Sequence, residues 1–110
     1  MKIKCYCGSL IIDVADNLPW KGYLTPDQGW FSIFDAINKL IDAVANGRME
    51  KEAAYHRASS IIIRSSRHMW QCPTCGRLYI DGSDGQLRCF MPEGDLIDRE
   101  VLRGNPAQDE

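Results

Sequence analysis

Apolar residues recur through the middle of the chain with the period of a helix. Trp30, Ile33/Phe34, Ile37, Leu40/Ile41 and Val44 fall three and four apart, which places them on one face. Ahead of them, Thr25-Pro26-Asp27-Gln28 carries start signals: a Thr N-cap, proline at the first helical position, an acid in the first turn and Gln at the capping-box position. Asn46-Gly47 is a stop signal. A second helix is expected from about Glu50 to Ser65, with Ala54, Ala58, Ile61/Ile62 and Ser65 on one side. The β-branched run Ile61-Ile62-Ile63 leaves a strand open for residues 61–66, with helix the favoured reading. Outside this region the pattern shortens to strand-like alternation, in Leu10-Ile11-Ile12, in Leu78-Tyr79-Ile80 and in a final strand, Gln86–Met91, after the turn Asp81–Gly85. The expected fold class is therefore α+β: a small antiparallel sheet interrupted by a two-helix antiparallel insertion over about 25–66. Trp30, Phe31, Phe34 and Trp70 are expected in the core, and the tail over about 102–110 is expected to fray.

At 110 residues the chain has room for one domain with a modest core. No apolar run exceeds three residues, against the roughly 20 that a membrane span needs. The N-terminus has charge at its head but no apolar stretch behind it, so it does not read as a secretory signal, and a cytoplasmic location is expected. Thirteen basic residues face fifteen acidic ones, and their placement is uneven. Residues 50–70 carry four basic against two acidic side chains, whereas 71–110 carry four against eight. A nucleic-acid binder usually shows a basic excess, because neutralising phosphate supplies most of its affinity. This balance argues against one, apart from a local basic stretch over 57–67.

The five cysteines change the picture most. An odd count in a chain of this kind argues against a disulfide framework. Four fall into two tight pairs, Cys5-Tyr6-Cys7-Gly8 and Cys72-Pro73-Thr74-Cys75-Gly76. Such pairs supply two thiolates from one turn of backbone, and glycine after the second thiol suits a sharp turn with amides aimed at sulfur. The segments Cys7–Asp13 and Cys75–Asp81 align without a gap and match at Cys, Gly, Leu, Ile and Asp. Two knuckles that each run into a strand resemble a zinc ribbon, with halves over 2–14 and 67–91 and one structural Zn2+ held by Cys5, Cys7, Cys72 and Cys75. The first pair departs from the usual spacing, being C-x-C rather than C-x-x-C, and so fits a rubredoxin-type iron site less well than zinc.

Redox chemistry is the competing reading of the C-x-x-C. A thioredoxin-like motif opens a helix, whereas Cys75 leads into Gly76-Arg77-Leu78-Tyr79-Ile80, which is strand-like. Cys89 reads as a small buried hydrophobe, and His56 and His68 as surface or packing residues rather than substitute ligands. Four thiolates close a metal's coordination sphere, and no nucleophile elbow, phosphate loop or zinc-protease motif is present in the sequence, so no enzymatic activity is expected.

Beyond the ribbon, the chain as a whole resembles a family of small bacterial zinc-ribbon-like proteins of uncharacterised function. The likeness is carried by Cys5, Cys7, Gly8, Leu10, Ile11, Leu18, Pro19, Leu24, Pro26, Asp27, Gln28, Trp30, Phe31, Asp35–Ile37 and Trp70–Asp81. Some relatives look like immunity proteins of polymorphic or contact-dependent growth-inhibition toxins. The resemblance implies a non-catalytic cytoplasmic protein that neutralises a toxin domain, such as a nuclease, as a monomer in a tight one-to-one complex. For such a partner, the acids Asp81, Asp84, Glu93 and Asp95 would steer a basic toxin, and Trp20 and Tyr23 in a Pro/Gly loop would be apolar anchors. That the loop folds back over the sheet is an equal reading. The alternative function is a zinc-ribbon adaptor or regulator contacting nucleic acid or the transcription and translation machinery through Arg57, Arg64, Arg67, Arg77 and Arg88.

Overall fold

The structure is a computed structural model that describes residues 1–105. Its elements are β1 (Lys2–Lys4), β2 (Leu10–Ile12), β3 (Lys21–Leu24), α1 (Asp27–Ala45), α2 (Lys51–Ser65), β4 (Arg67–Gln71), β5 (Leu78–Asp81) and β6 (Leu87–Phe90). The chain forms two compact units: Met1–Tyr23 together with the stretch from His68 onward, and Leu24–Arg67 between them. The fold is α+β, with β1 and β2 as a two-stranded antiparallel sheet and β3-β4-β5-β6 as the order of a four-stranded one.

The first unit contains the large buried side chains. In β1 and β2 only the middle residue is buried, and the register sets Ile3 opposite Ile11, so one face is apolar while Lys2, Lys4, Leu10 and Ile12 face outward. In the larger sheet, Trp70, Tyr79 and Cys89 lie opposite one another on β4, β5 and β6. Ile3, Cys5, Ile11, Trp70, Cys72 and Tyr79 make one cluster, with Trp20, Cys75 and Cys89 packed against it. Trp70 is in the core as expected, and Cys89 is half-buried against that core.

Polar side chains fasten this unit at two places. Asp13 accepts a bond from the Trp70 indole Nε1 at 3.0 Å and an ion pair from Lys21 Nζ at 2.8 Å. Lys21 and Trp70 hold the Asp13 carboxyl below the usual range, and Asp13 in turn raises Lys21. A depressed carboxyl stabilises the fold above its unfolded pKa of about 3.9 and loses that contribution as pH falls through the lower folded value. For Lys21 the sign is opposite: its contribution is present below about 10.4 and is lost as pH rises through the raised value. Asp13→Asn is therefore expected to lower stability at pH 7 by about 1–2 kcal/mol and to flatten the acid limb of the stability curve, checked by urea unfolding from pH 2.5 to 7.

Gln71, the one buried polar residue among those described, makes the second fastening. Its Nε2 donates to the carbonyls of Gly76 and Asp98, and its Oε1 accepts from the Val101 amide at 2.9 Å. Leu102 in turn lies beside Gly22 of β3. The chain just ahead of the tail expected to fray is thus held, because a buried amide must have its partners and the passing chain at Asp98 and Val101 provides them. The remainder of the expected frayed tail, residues 106–110, lies outside the described residues.

The second unit is a helical hairpin. Thr25 does not cap α1: Pro26, at ψ 143°, occupies the cap position with no side-chain bond, and the helix begins at Asp27, one residue later than expected. An acid in the first turn still complements the helix dipole. At the other end Gly47 N donates to Val44 O and Arg48 N to Ala43 O, the paired bonds of a Schellman turn, as Asn46-Gly47 led one to expect. Residues 61–65 are helical, so the isoleucine run belongs to α2. Trp30, Phe31 and Phe34, expected in the core, are instead exposed. The apolar stripe of α1 is wider than the small Ala54/Ala58 side of α2, and the hairpin has no third layer of its own to cover the rest.

Candidate metal centre

Each knuckle is built by its own backbone. In the first, Cys5 N donates to Ser9 O at 2.8 Å and Gly8 N to Cys5 O at 2.9 Å, a three-residue step that closes a β-turn. In the second, Cys72 N donates to Arg77 O at 2.9 Å and Gly76 N to Cys72 O at 2.8 Å, a four-residue step. The C-x-C pair is thus the C-x-x-C knuckle with one residue fewer, keeping both bonds. Gly8 and Gly76 both have positive φ, +98° and +86°, which a side chain rarely adopts. Their surroundings differ. A Cβ on Gly8 would meet nothing within 4 Å, whereas one on Gly76 would lie 2.8 Å from Ile97 Cγ2.

The fold brings the two knuckles together across some 65–70 residues of sequence. Cys5 Sγ lies 3.5 Å from Cys75 Sγ, and Cys7 Sγ lies 3.6 Å from Cys72 Sγ. All four sulfurs fall within 4.8 Å of one another. These are not disulfide distances, which are close to 2.05 Å, and all five cysteines are free thiols. They fit a cage: four thiolates at about 2.3 Å from a tetrahedral ion would stand about 3.8 Å apart. Ser9 Oγ donates to Thr74 Oγ1 at 3.0 Å, a further tie from knuckle to knuckle.

The electrostatics of the sulfurs are set by burial and by aimed N–H groups. Burial pushes the Cys72 thiol up to about 11, although the amides of Cys75 and Thr74 point at it. Exposed Cys7, facing the amide and hydroxyl of Ser9, is brought down to about 6. Burial also raises Cys5, but the Cys7 amide and the Tyr79 hydroxyl outweigh it, and the net shift is downward. Tyr79 Oη accepts from the Tyr6 amide at 3.1 Å, and its own ionisation is pushed well up by burial and by Cys5. Arg77 Nη1 donates to Cys75 Sγ at 3.3 Å, placing a cation beside a cluster that carries negative charge when deprotonated. Cys5, Cys7, Cys72 and Cys75 can therefore hold a metal ion with donors already arranged around the sulfurs. Cys89, His56 and His68 lie outside the set. His68 packs edge-on against Tyr23 and Trp70.

The residues singled out for a partner have varied settings. Trp20 is half-buried, with its indole Nε1 donating to Ile12 O at 2.8 Å and its own carbonyl accepting from Gln71 N, so it packs on the sheet instead of standing out as an anchor. Tyr23 is exposed, with Lys21 Nζ 5.6 Å from its ring centroid. Asp81 is half-buried at the end of β5. Asp84 is committed within the chain, accepting from the Gln86 amide and pairing with Arg88. Glu93 and Asp95 are exposed. The Asp13–Trp70–Lys21 clamp and Gln71 were not marked by the sequence reading. The one available sign was Asp13 matching Asp81 in the repeat, which points to the turn and not to Trp70.

No helix among the described residues is long and apolar enough to cross a membrane. No curated protein and no solved structure matches the chain. The family profile described as "Domain of unknown function (DUF8617)" matches residues 1–94, which include both knuckles and the helical hairpin, and the chain belongs to that family.

Proposed function

We propose that the four thiolates hold one Zn2+ as a structural staple and that the protein acts without catalysis, as an immunity protein that neutralises a bacterial toxin domain by forming a stoichiometric complex. The observation that carries the reading is the four-sulfur cluster itself: a tetrahedral ion bound by all four has no open position for water or substrate. What such a staple provides is a rigid surface, because it locks together two hairpins distant in sequence. The resemblance to immunity proteins then supplies the partner class. Exposed Tyr23, Glu93 and Asp95 are the candidates for contact, whereas Trp20 and Asp84 already have partners within the chain.

Nothing in the residue settings favours the nucleic-acid alternative. Of its five arginines, Arg88 is paired with Asp84 and Arg77 with Cys75 Sγ. The test is a search for a toxin gene beside its own, then titration of the metal-loaded protein against that toxin's domain, followed by calorimetry and toxin activity. A complex with one chain per toxin domain and complete inhibition is expected. Charge reversal at Glu93 and Asp95 is expected to slow association several-fold, and Tyr23→Ala to speed dissociation by an amount worth about 2 kcal/mol. A protein that leaves the toxin active, or that binds RNA in a salt-dependent way lost with Arg57→Ala and Arg64→Ala, would overturn it.

A further inference from the structure

We propose that the hairpin face of this protein is a self-association surface, on which a second copy seats its own hairpin to complete a four-helix bundle. The inference concerns Leu24–Arg67 alone and does not depend on the metal or the toxin reading. Within this unit Ala54 is the single buried residue, and α1, although 19 residues long and strongly amphipathic, buries none. Amphipathic helices owe most of their stability to packing of the apolar face, so a pair this bare has half of a bundle core.

Most of the uncovered residues lie on one side, with exposed Phe31 and Ile63 beside the stripe and outside it. On α1, Trp30, Phe34, Ile37 and Ile41 are spaced by four, three and four, and on α2, Tyr55, Ala58 and Ile62 by three and four. Ile37, Ile41, Tyr55 and Ala58 line the same groove between the helices, a space of about 400 Å³ whose one charged lining residue is Lys51. Trp30 and Phe34 meet edge to face at 5.2 Å and extend the stripe along α1. Trp30, Phe34, Ile41, Tyr55 and Ile62 are each 45–68% exposed.

Two quantities favour a second copy as the occupant. Large apolar side chains bring on the order of 150–250 Å² each, so these five together leave roughly 500 Å² in water. With half-buried Ile37 and Val44 and a polar rim, the face approaches the roughly 800 Å² that each partner gives to a standard interface. The unit's charge is also nearly balanced, six basic side chains against five acidic, so two copies meet without the repulsion that would oppose a like-on-like contact. The shape suits a two-fold contact, in which the Ile41 and Tyr55 ridges of one copy enter the Ala54/Ala58 trough of the other. One chain per toxin domain is preserved, the assembly becoming two plus two in place of the monomeric complex expected from sequence.

The experiment is sedimentation equilibrium of the full, metal-loaded chain across a range of concentrations, with two polar variants at exposed positions, Ile41→Asp and Tyr55→Ser. The expected mass is about twice 12.5 kDa. Each variant is expected to weaken dimerisation by about 100-fold or more, because a two-fold contact loses the apolar side chain from both copies. Helical circular dichroism and bound metal should stay unchanged, because both side chains are mostly solvent-facing within one copy. A monomer at all concentrations, or a dimer that both variants leave intact with their helicity unchanged, would overturn the proposal. So would a groove filled from within the chain, seen as full protection of Tyr55 in a monomeric protein.

Discussion

Removing the metal is expected to unfold the unit built from Met1–Tyr23 and the chain after His68. The protein as isolated should carry about one zinc ion per chain, and a strong chelator should abolish its cooperative unfolding transition. The size of the effect follows from where the sulfurs sit. Cys5 and Cys72 belong to the same buried cluster as Ile3, Ile11, Trp70 and Tyr79, so ligand and core are one structure. Without an ion, four thiols converging within 4.8 Å must be kept together by packing and by a few hydrogen bonds, such as Ser9 to Thr74. Structural zinc contributes on the order of 10 kcal/mol in small domains, comparable to the whole stability of a chain this size. Cys72→Ser or Cys7→Ser should remove most of that. Cys89→Ser, outside the cluster, should cost about 1–2 kcal/mol and leave metal content at one. Zinc analysis and thermal melts of the three variants, with and without chelator, check this. Equal damage from Cys89→Ser and Cys72→Ser would mean that the thiols act as ordinary core residues.

Gly76→Ala is expected to destabilise by about 2–4 kcal/mol, and Gly8→Ala by about 1 kcal/mol. Both glycines close a knuckle with a positive φ, so the backbone strain of adding a side chain is common to the two. The difference comes from what lies overhead. At Gly76 a methyl would collide with Ile97 and press on Pro92 and Arg99, which belong to the stretch held down by Gln71 through Asp98 and Val101. At Gly8 it would project into open space. Urea unfolding of the two metal-loaded variants measures the gap. Equal losses would show that strain alone matters and that the 92–99 stretch can move aside at no cost.

The two predictions divide along what is local in sequence and what is not. The four-cysteine cluster was legible because its information is short-range: two thiols and a glycine within four or five residues define a knuckle whatever surrounds it, and two knuckles could satisfy one ion only by coming together. The turn Asn46-Gly47 was legible for the same reason, since helix ends are set within a few residues, whereas the β-branched run Ile61-Ile62-Ile63 left helix and strand both open until the fold placed it in α2. Thr25 shows the limit of such signals. A one-residue shift of the helix start put Pro26 in the cap position and left the threonine without an amide to accept.

Amphipathic periodicity told which side of α1 is apolar, but a period carries no information about what covers that side, so Trp30, Phe34 and Phe31 were expected in a core they do not enter. The clamp of Asp13 on Trp70 and Lys21 joins side chains up to 57 residues apart, and the setting of Gln71 depends on chain that returns about 30 residues later. Trp20 illustrates the same point from the other side: sequence left its loop either open or folded back, and the fold decided it, with the indole bonded to the Ile12 carbonyl and the residues after it, Lys21–Leu24, forming β3 where a loop was expected. By itself, then, the sequence determined the four clustered cysteines, the knuckle turns, α1 and the strand alternation beside the knuckles, all of which rest on interactions within a few residues. Tertiary structure alone decided which polar groups are buried and satisfied, and which apolar faces are left to water, because those depend on what the rest of the chain brings alongside.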